Sequence, residues 1–205
     1  MSDGDITHRF VPARSGGRPA LLLLHRTGGS ESDLLEFGDR ISRGGALLAP
    51  RGQVLEDGKP RYFRRISDGL FDLEDLKLRT QELGDFVTRA GKRYGIGAPV
   101  AVGFSNGANI AWSLLLASPG LLAGAVLMRP MMPFEPRTSP LGNLPVLVIS
   151  GRTDTIVPPE SAAALPTLLR AAGARVEHDF VEAGHTLMAE DGALATAWLD
   201  RLAAE

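Results

Sequence analysis

The fold turns on the stretch Pro99-Val100-Ala101-Val102-Gly103-Phe104-Ser105-Asn106-Gly107. The first four residues read as a short buried strand. From Asn109 to Leu116 the chain has helical character, and between the two lies Gly-x-Ser-x-Gly. A strand, a tight turn and a helix with serine at the turn is the context of a nucleophile elbow. The turn forces the serine backbone into strain, and side chains at Gly103 and Gly107 would strike the neighbouring strand and helix. The helix aims its free N–H groups and the positive end of its dipole at the same spot, where an oxyanion can be held. The motif is short and the chain has 24 glycines, so it carries weight only with its context.

Outward from this stretch, apolar runs alternate with helical patterns. Ala20–Leu24, Gly45–Ala49, Leu122–Leu127, Val146–Ile149 and Arg175–Val181 read as strands. Residues 8–14 suggest an edge strand weakened by Pro12. Helices are expected after Ser30 or Ser32, either of which could cap one, over 73–93, near 160–172 and over 191–203. Residues 51–72 and 129–143 show no period and are predicted to be irregular connections. The alternation predicts an α/β fold with a doubly wound, mostly parallel sheet and helices on both faces. Sites in such sheets lie beyond the carboxyl ends of the strands. His25, Arg51, Ser105, Arg129, Asp154 and His185 all fall just past an apolar run.

The 205 residues are predicted to form one domain, 1–205. A net charge of −2 gives no reason to expect nucleic acid as a partner. The absence of cysteine removes disulfides, thiolate metal sites and a cysteine nucleophile. The N-terminus has no apolar signal region, and no run is long enough to span a bilayer, so the expected location is cytoplasmic. The sequence leaves room for a homodimer.

A serine nucleophile needs a base. Of the four histidines, His8 reads as a surface residue and His178 lies inside a strand; His25 ends the first buried strand and is suited to shaping a loop. His185, in Gly184-His185-Thr186 directly after the last strand, is the one a loop could deliver onto Ser105. Asp154, past the strand ending at Ile149, is the candidate to orient it, with the chain order Ser…Asp…His. Glu182 and Asp179 are rival carboxylates close to His185 in sequence. The predicted oxyanion donors are the backbone N–H groups of Asn106 and Thr27.

GFSNG, GRTDTIVP and AGHT, following LLLLHRTGG, resemble the α/β-hydrolase superfamily. Within it the chain resembles the small phospholipase/carboxylesterase group, which lacks a large cap domain. LLAPRGQVLEDGKPRYFRR further resembles a bacterial subgroup of esterases of the kind linked to quinone-compound responses. The resemblance runs from about Leu21 to the last helix and implies Ser105, Asp154 and His185 as the triad. One departure stands out: the family has glycine after the histidine, as HGTGG, where this chain has Arg26.

The expected activity is hydrolysis of small or single-chain carboxylic esters through an acyl-enzyme, with no metal and no organic cofactor. Expected substrate contacts are Arg26, Arg51, Phe63, Phe71, Met131, Met132 and Leu187. A thioesterase or lysophospholipase would use the same residues. A non-catalytic sensor of a small aromatic ligand is the alternative of another class, favoured only by Arg26.

Overall fold

In the computed structural model the described residues are 6–67, 69–134 and 141–204. The chain runs β1 (His8–Val11), β2 (Leu21–Leu24), α1 (Leu35–Ser42), β3 (Leu47–Pro50), two hairpins, α2 (Leu73–Tyr94), β8 (Val100–Phe104), α3 (Asn106–Ala117), β9 (Gly124–Met128), β10 (Pro145–Gly151), α4 (Pro159–Ala171), β11 (Arg175–Val181) and α5 (Ala189–Leu202). The hairpins are β4 (Val54–Glu56) with β5 (Lys59–Arg61), and β6 (Arg65–Ser67) with β7 (Leu70–Phe71).

Seven strands form one sheet in the order β1-β3-β2-β8-β9-β10-β11, all parallel except the edge strand β1. From β2 the chain steps outward to β3, returns to β8 beside β2, and then winds the other way. The switch point is therefore between β2 and β8, and a crevice opens there past the strand ends. His25–Thr27 and Ser105–Asn106 follow those two strands directly.

The apolar runs are continuous because both sheet faces are covered. Leu22, Leu24, Ala101, Leu127 and Val148 face the core shared with α2, α3 and α4. Their neighbours Leu21, Leu23, Val102, Val126 and Ile149 face α1 and α5. α3 lies between the sheet and α2 and is buried along ten consecutive residues, Asn106–Leu115, so it is apolar nearly all round. α2 has conventional ends: the Asp72 carboxylate accepts the Asp75 N–H at 3.0 Å, and Gly95 closes the helix at φ 66°.

Two expectations are corrected. Neither Ser30 nor Ser32 caps α1; residues 31–34 form a turn, and the helix starts at Leu35 without a side-chain cap. Residues 51–72 are two hairpins and not an irregular connection. Strands of two or three residues are too short to show a period, but Asp57-Gly58 carried a hairpin signal. Both residues have positive φ, 50° and 74°, as a tight two-residue hairpin turn requires. In the segment 129–143, the described residues 129–134 and 141–143 contain no helix or strand, and 135–140 lie outside the described residues.

Candidate active site

Ser105 sits between β8 and α3 at φ 54° and ψ −117°, a conformation that side-chain-bearing residues avoid. Its N–H donates to Met128 O at 2.9 Å, which pins the turn to β9. The two flanking glycines are needed because backbone approaches backbone. A Cβ on Gly103 would stand 2.5 Å from Gly107 O, and one on Gly107 would stand 2.0 Å from Leu24 O. Any side chain there would push α3 off the sheet.

Ser105 Oγ lies 2.8 Å from His185 Nε2, and His185 Nδ1 lies 2.8 Å from Asp154 Oδ2. The Asp154 side chain is 1% exposed and the His185 side chain 16%. The other Asp154 oxygen accepts the N–H groups of Ile156 and Val157 at 2.8 and 2.9 Å, so the carboxylate cannot rotate freely. The rival Glu182 instead pairs with Arg152 at 2.8 Å on the surface, and Asp179 lies in β11 opposite Ile149.

Among the described residues, neither the Thr27 N–H nor the Asn106 N–H makes a hydrogen bond. Both residues line the cleft beside Ser105. The loop carrying Thr27 is tied from several sides. His25, buried, bonds Arg26 O through Nδ1 at 2.7 Å and accepts the Gly52 N–H at Nε2 at 2.9 Å. This pattern needs the neutral ring, and burial lowers the His25 pKa below the ordinary histidine value, the bond to Arg26 O opposing. Arg61 donates to Thr27 Oγ1 at 3.0 Å, and Gly28 N–H donates to Pro60 O at 2.8 Å. Tyr62 N–H donates to Asn106 Oδ1 at 2.8 Å, and the Tyr62 hydroxyl donates to Pro50 O and accepts the His25 N–H. Burial pushes the Tyr62 phenol pKa up, so it stays a donor. The β4–β5 hairpin and the residue after it thus hold both sides of the crevice.

No family model matches the chain. It is 42% identical over 181 residues to MhqD of Bacillus subtilis, a protein assigned as a hydrolase, covering 87% of this chain and 90% of that one. It superposes on a Bacillus cereus carboxylesterase with a TM-score of 0.94 at 39% identity, over 98% of this chain and 96% of that one. A Mesorhizobium loti carboxylesterase gives a TM-score of 0.90 at 32% identity, over 98% and 97%. The chain belongs to the carboxylesterases of the α/β-hydrolase fold. Among the described residues, no helix is long and apolar enough to cross a membrane.

The cleft of this hydrolase has a volume of about 1050 Å³. Of the residues proposed from the sequence as substrate contacts, Arg26, Phe71, Met131 and Leu187 line it. Three other expected contacts do not. Phe63 is fully buried and packs edge-on against Phe71, 5.3 Å between ring centres, so it presents no surface to a ligand. Met132 packs against the core under the sheet. Arg51 lies away from the cleft, and Glu31 engages its Nε at 2.5 Å and its Nη2 at 2.7 Å. That bond also holds the Glu31 carboxyl below the usual carboxylate range. The sequence reading did not single out Arg61, Tyr62 or Asp191, and it noted Arg129 only as a residue past a strand. Asp191 and Arg129 are fully buried partners.

Proposed function

We propose that the chain is a serine carboxylesterase acting on small or single-chain esters. The observation that carries this reading is the chain Ser105–His185–Asp154, with two 2.8 Å links, at a cleft where two backbone N–H groups stand without partners. In this reading Ser105 Oγ attacks the ester carbonyl as His185 Nε2 takes its proton. Asp154 stabilises the imidazolium, and the N–H groups of Thr27 and Asn106 take the developing oxyanion. His185 then protonates the leaving alcohol. Water, activated by the same imidazole, attacks the acyl-enzyme and releases the acid.

The finer part of the proposal concerns Arg26. Of the arginines on the cleft wall, Arg61 and Arg65 share Glu56 at 3.3 and 2.6 Å, and Arg129 is paired with Asp191. Arg26 is exposed, makes no ion pair among the described residues and reaches only Thr27 O, at 3.3 Å. A guanidinium beside the predicted oxyanion loop can bind a carboxylate bidentately, which favours esters that carry a second acidic group.

Hydrolysis of paired nitrophenyl esters, one neutral and one bearing a carboxylate, tests both parts. Ser105→Ala should lower turnover of both by about 10⁴-fold or more. Arg26→Met should raise KM for the carboxylate ester by roughly 10- to 100-fold and spare the neutral one, as loss of a charged hydrogen bond implies. Arg51→Met, outside the cleft, should leave both unchanged. Wild-type protein inert to the whole panel would overturn the esterase reading, and equal effects of Arg26→Met on both esters would overturn the role of Arg26.

A further inference from the structure

Arg129 directly follows β9 at φ 50°, with its N–H donating to Ile149 O at 2.8 Å, and its side chain is fully buried. The guanidinium meets Asp191 bidentately through its Nη1/Nη2 edge, Nη1 to Oδ1 at 2.6 Å and Nη2 to Oδ2 at 3.1 Å. The remaining donors do not go to the sheet alone. Nε donates to Gly184 O at 3.1 Å and Nη2 donates to Thr186 O at 2.9 Å. These are the carbonyls on either side of His185. Asp191 sits in the first turn of α5 and accepts the Met188 N–H at 2.7 Å, so the loop is also gripped at its far end. Gly151 leaves room for the arrangement: a Cβ there would stand 2.4 Å from Ala183 O and 3.1 Å from Arg129 Nε.

We infer that the Arg129–Asp191 pair is a positioning device that fixes the His185 backbone against Ser105 and Asp154. The inference rests on the esterase reading for its kinetic consequences, but not for its geometry. Net stability is a poor account of the pair, because a buried ion pair contributes little more than apolar residues of similar volume would. A planar fork is a good account. It donates to both oxygens of a carboxylate and to two diverging carbonyls at once, which exceeds the three donors of an ammonium. The His185 ring is bonded only to Ser105 and Asp154 among the described residues and packs at a tilt against Phe104, 5.6 Å between ring centres, so the loop backbone sets the angle at which the ring arrives.

Two variants test this, each first checked by thermal melt. Arg129→Lys keeps the buried charge pair but loses the fork. Arg129→Met/Asp191→Leu removes both charges and leaves neither stranded. The expected result is a fall in kcat of about tenfold for the first and roughly 10²-fold for the second, since small misplacements of a catalytic group cost that much. KM should change less than threefold, because the Arg129 side chain, although it borders the cleft, is fully buried and paired with Asp191 and offers the substrate no surface. The downfield proton resonance of the His185–Asp154 hydrogen bond should broaden or move upfield in both variants. Folded variants with kcat within twofold of wild type and an unmoved resonance would overturn the positioning role. The resonance needs no substrate. If the wild type hydrolyses no ester while the resonance still responds, the esterase reading fails and the clamp stands.

Discussion

Ser105→Gly should make the protein more stable than Ser105→Ala, although both are expected to be inactive. The wild-type serine is held at φ 54° and ψ −117°, and backbone strain of this kind costs about 1–3 kcal/mol. Alanine keeps that strain, and glycine does not. Both variants lose the same hydroxyl and its 2.8 Å bond to His185, so that loss cancels in the comparison. Glycine gives back about 0.5–1 kcal/mol through the greater freedom of its unfolded chain. The difference left is about 1 kcal/mol, and at most about 2.5. For a chain of this size the central value is a rise in Tm of roughly 2–4 °C in Ser105→Gly over Ser105→Ala. Calorimetric melts of the two purified variants in one buffer, with urea midpoints as a second measure, decide the matter. A Ser105→Gly protein that melts at or below Ser105→Ala would show that the turn stores no strain. The reasoning about the elbow would then be wrong.

Asp154→Asn should lower kcat by about 10⁴ at neutral pH while preserving the fold, since an amide oxygen can still accept from Ile156 and Val157. Glu182→Gln should change kcat less than twofold, and the opposite ranking would hand the orienting role to Glu182. Stability should fall as pH drops below about 6.5, the ordinary histidine value. Burial lowers the pKa of His25 and of His178, so the unfolded chain binds these protons more readily and each contributes a loss as they titrate. Glu31 and Asp72, both held below the usual carboxylate range, lose their contributions only at lower pH. Urea midpoints at pH 7.5, 6.5 and 5.5 check this, and a constant midpoint over that range refutes it.

What was legible in the sequence was what chemistry ties to local pattern. Ser105 and Asp154 each follow a buried apolar strand and His185 follows the edge strand β11, and the parallel sheet brings those strand ends to one edge. The chain order and the residue types then suffice to single them out as candidates, and the structure places them within hydrogen-bond reach. The pocket was less legible, because an aromatic or methionine in a loop reads alike whether it faces a ligand or the core. Phe63 and Phe71 are eight residues apart in one segment; one is sealed in the core and the other lines the cleft. That difference depends on where the β6–β7 hairpin closes, which a three-residue strand does not announce.

Arg129 and Asp191 were illegible for another reason. They are 62 residues apart, and in sequence each looks like a surface charge. Only the parallel register of β9 with β10 and of β10 with β11 brings the end of one strand beneath the loop that follows another. The same topology explains why the site needs such a pair. Ser105 is fixed by its elbow and Asp154 by two backbone N–H groups, both consequences of their own loops. Among the described residues the loop bearing His185 is locked locally only at its far end, where the Met188 N–H donates to Asp191: Gly184 precedes the histidine, and α5 begins only at Ala189. Its restraint has to come from another part of the chain, and a buried guanidinium on the neighbouring strand end is within reach of both carbonyls that flank the histidine.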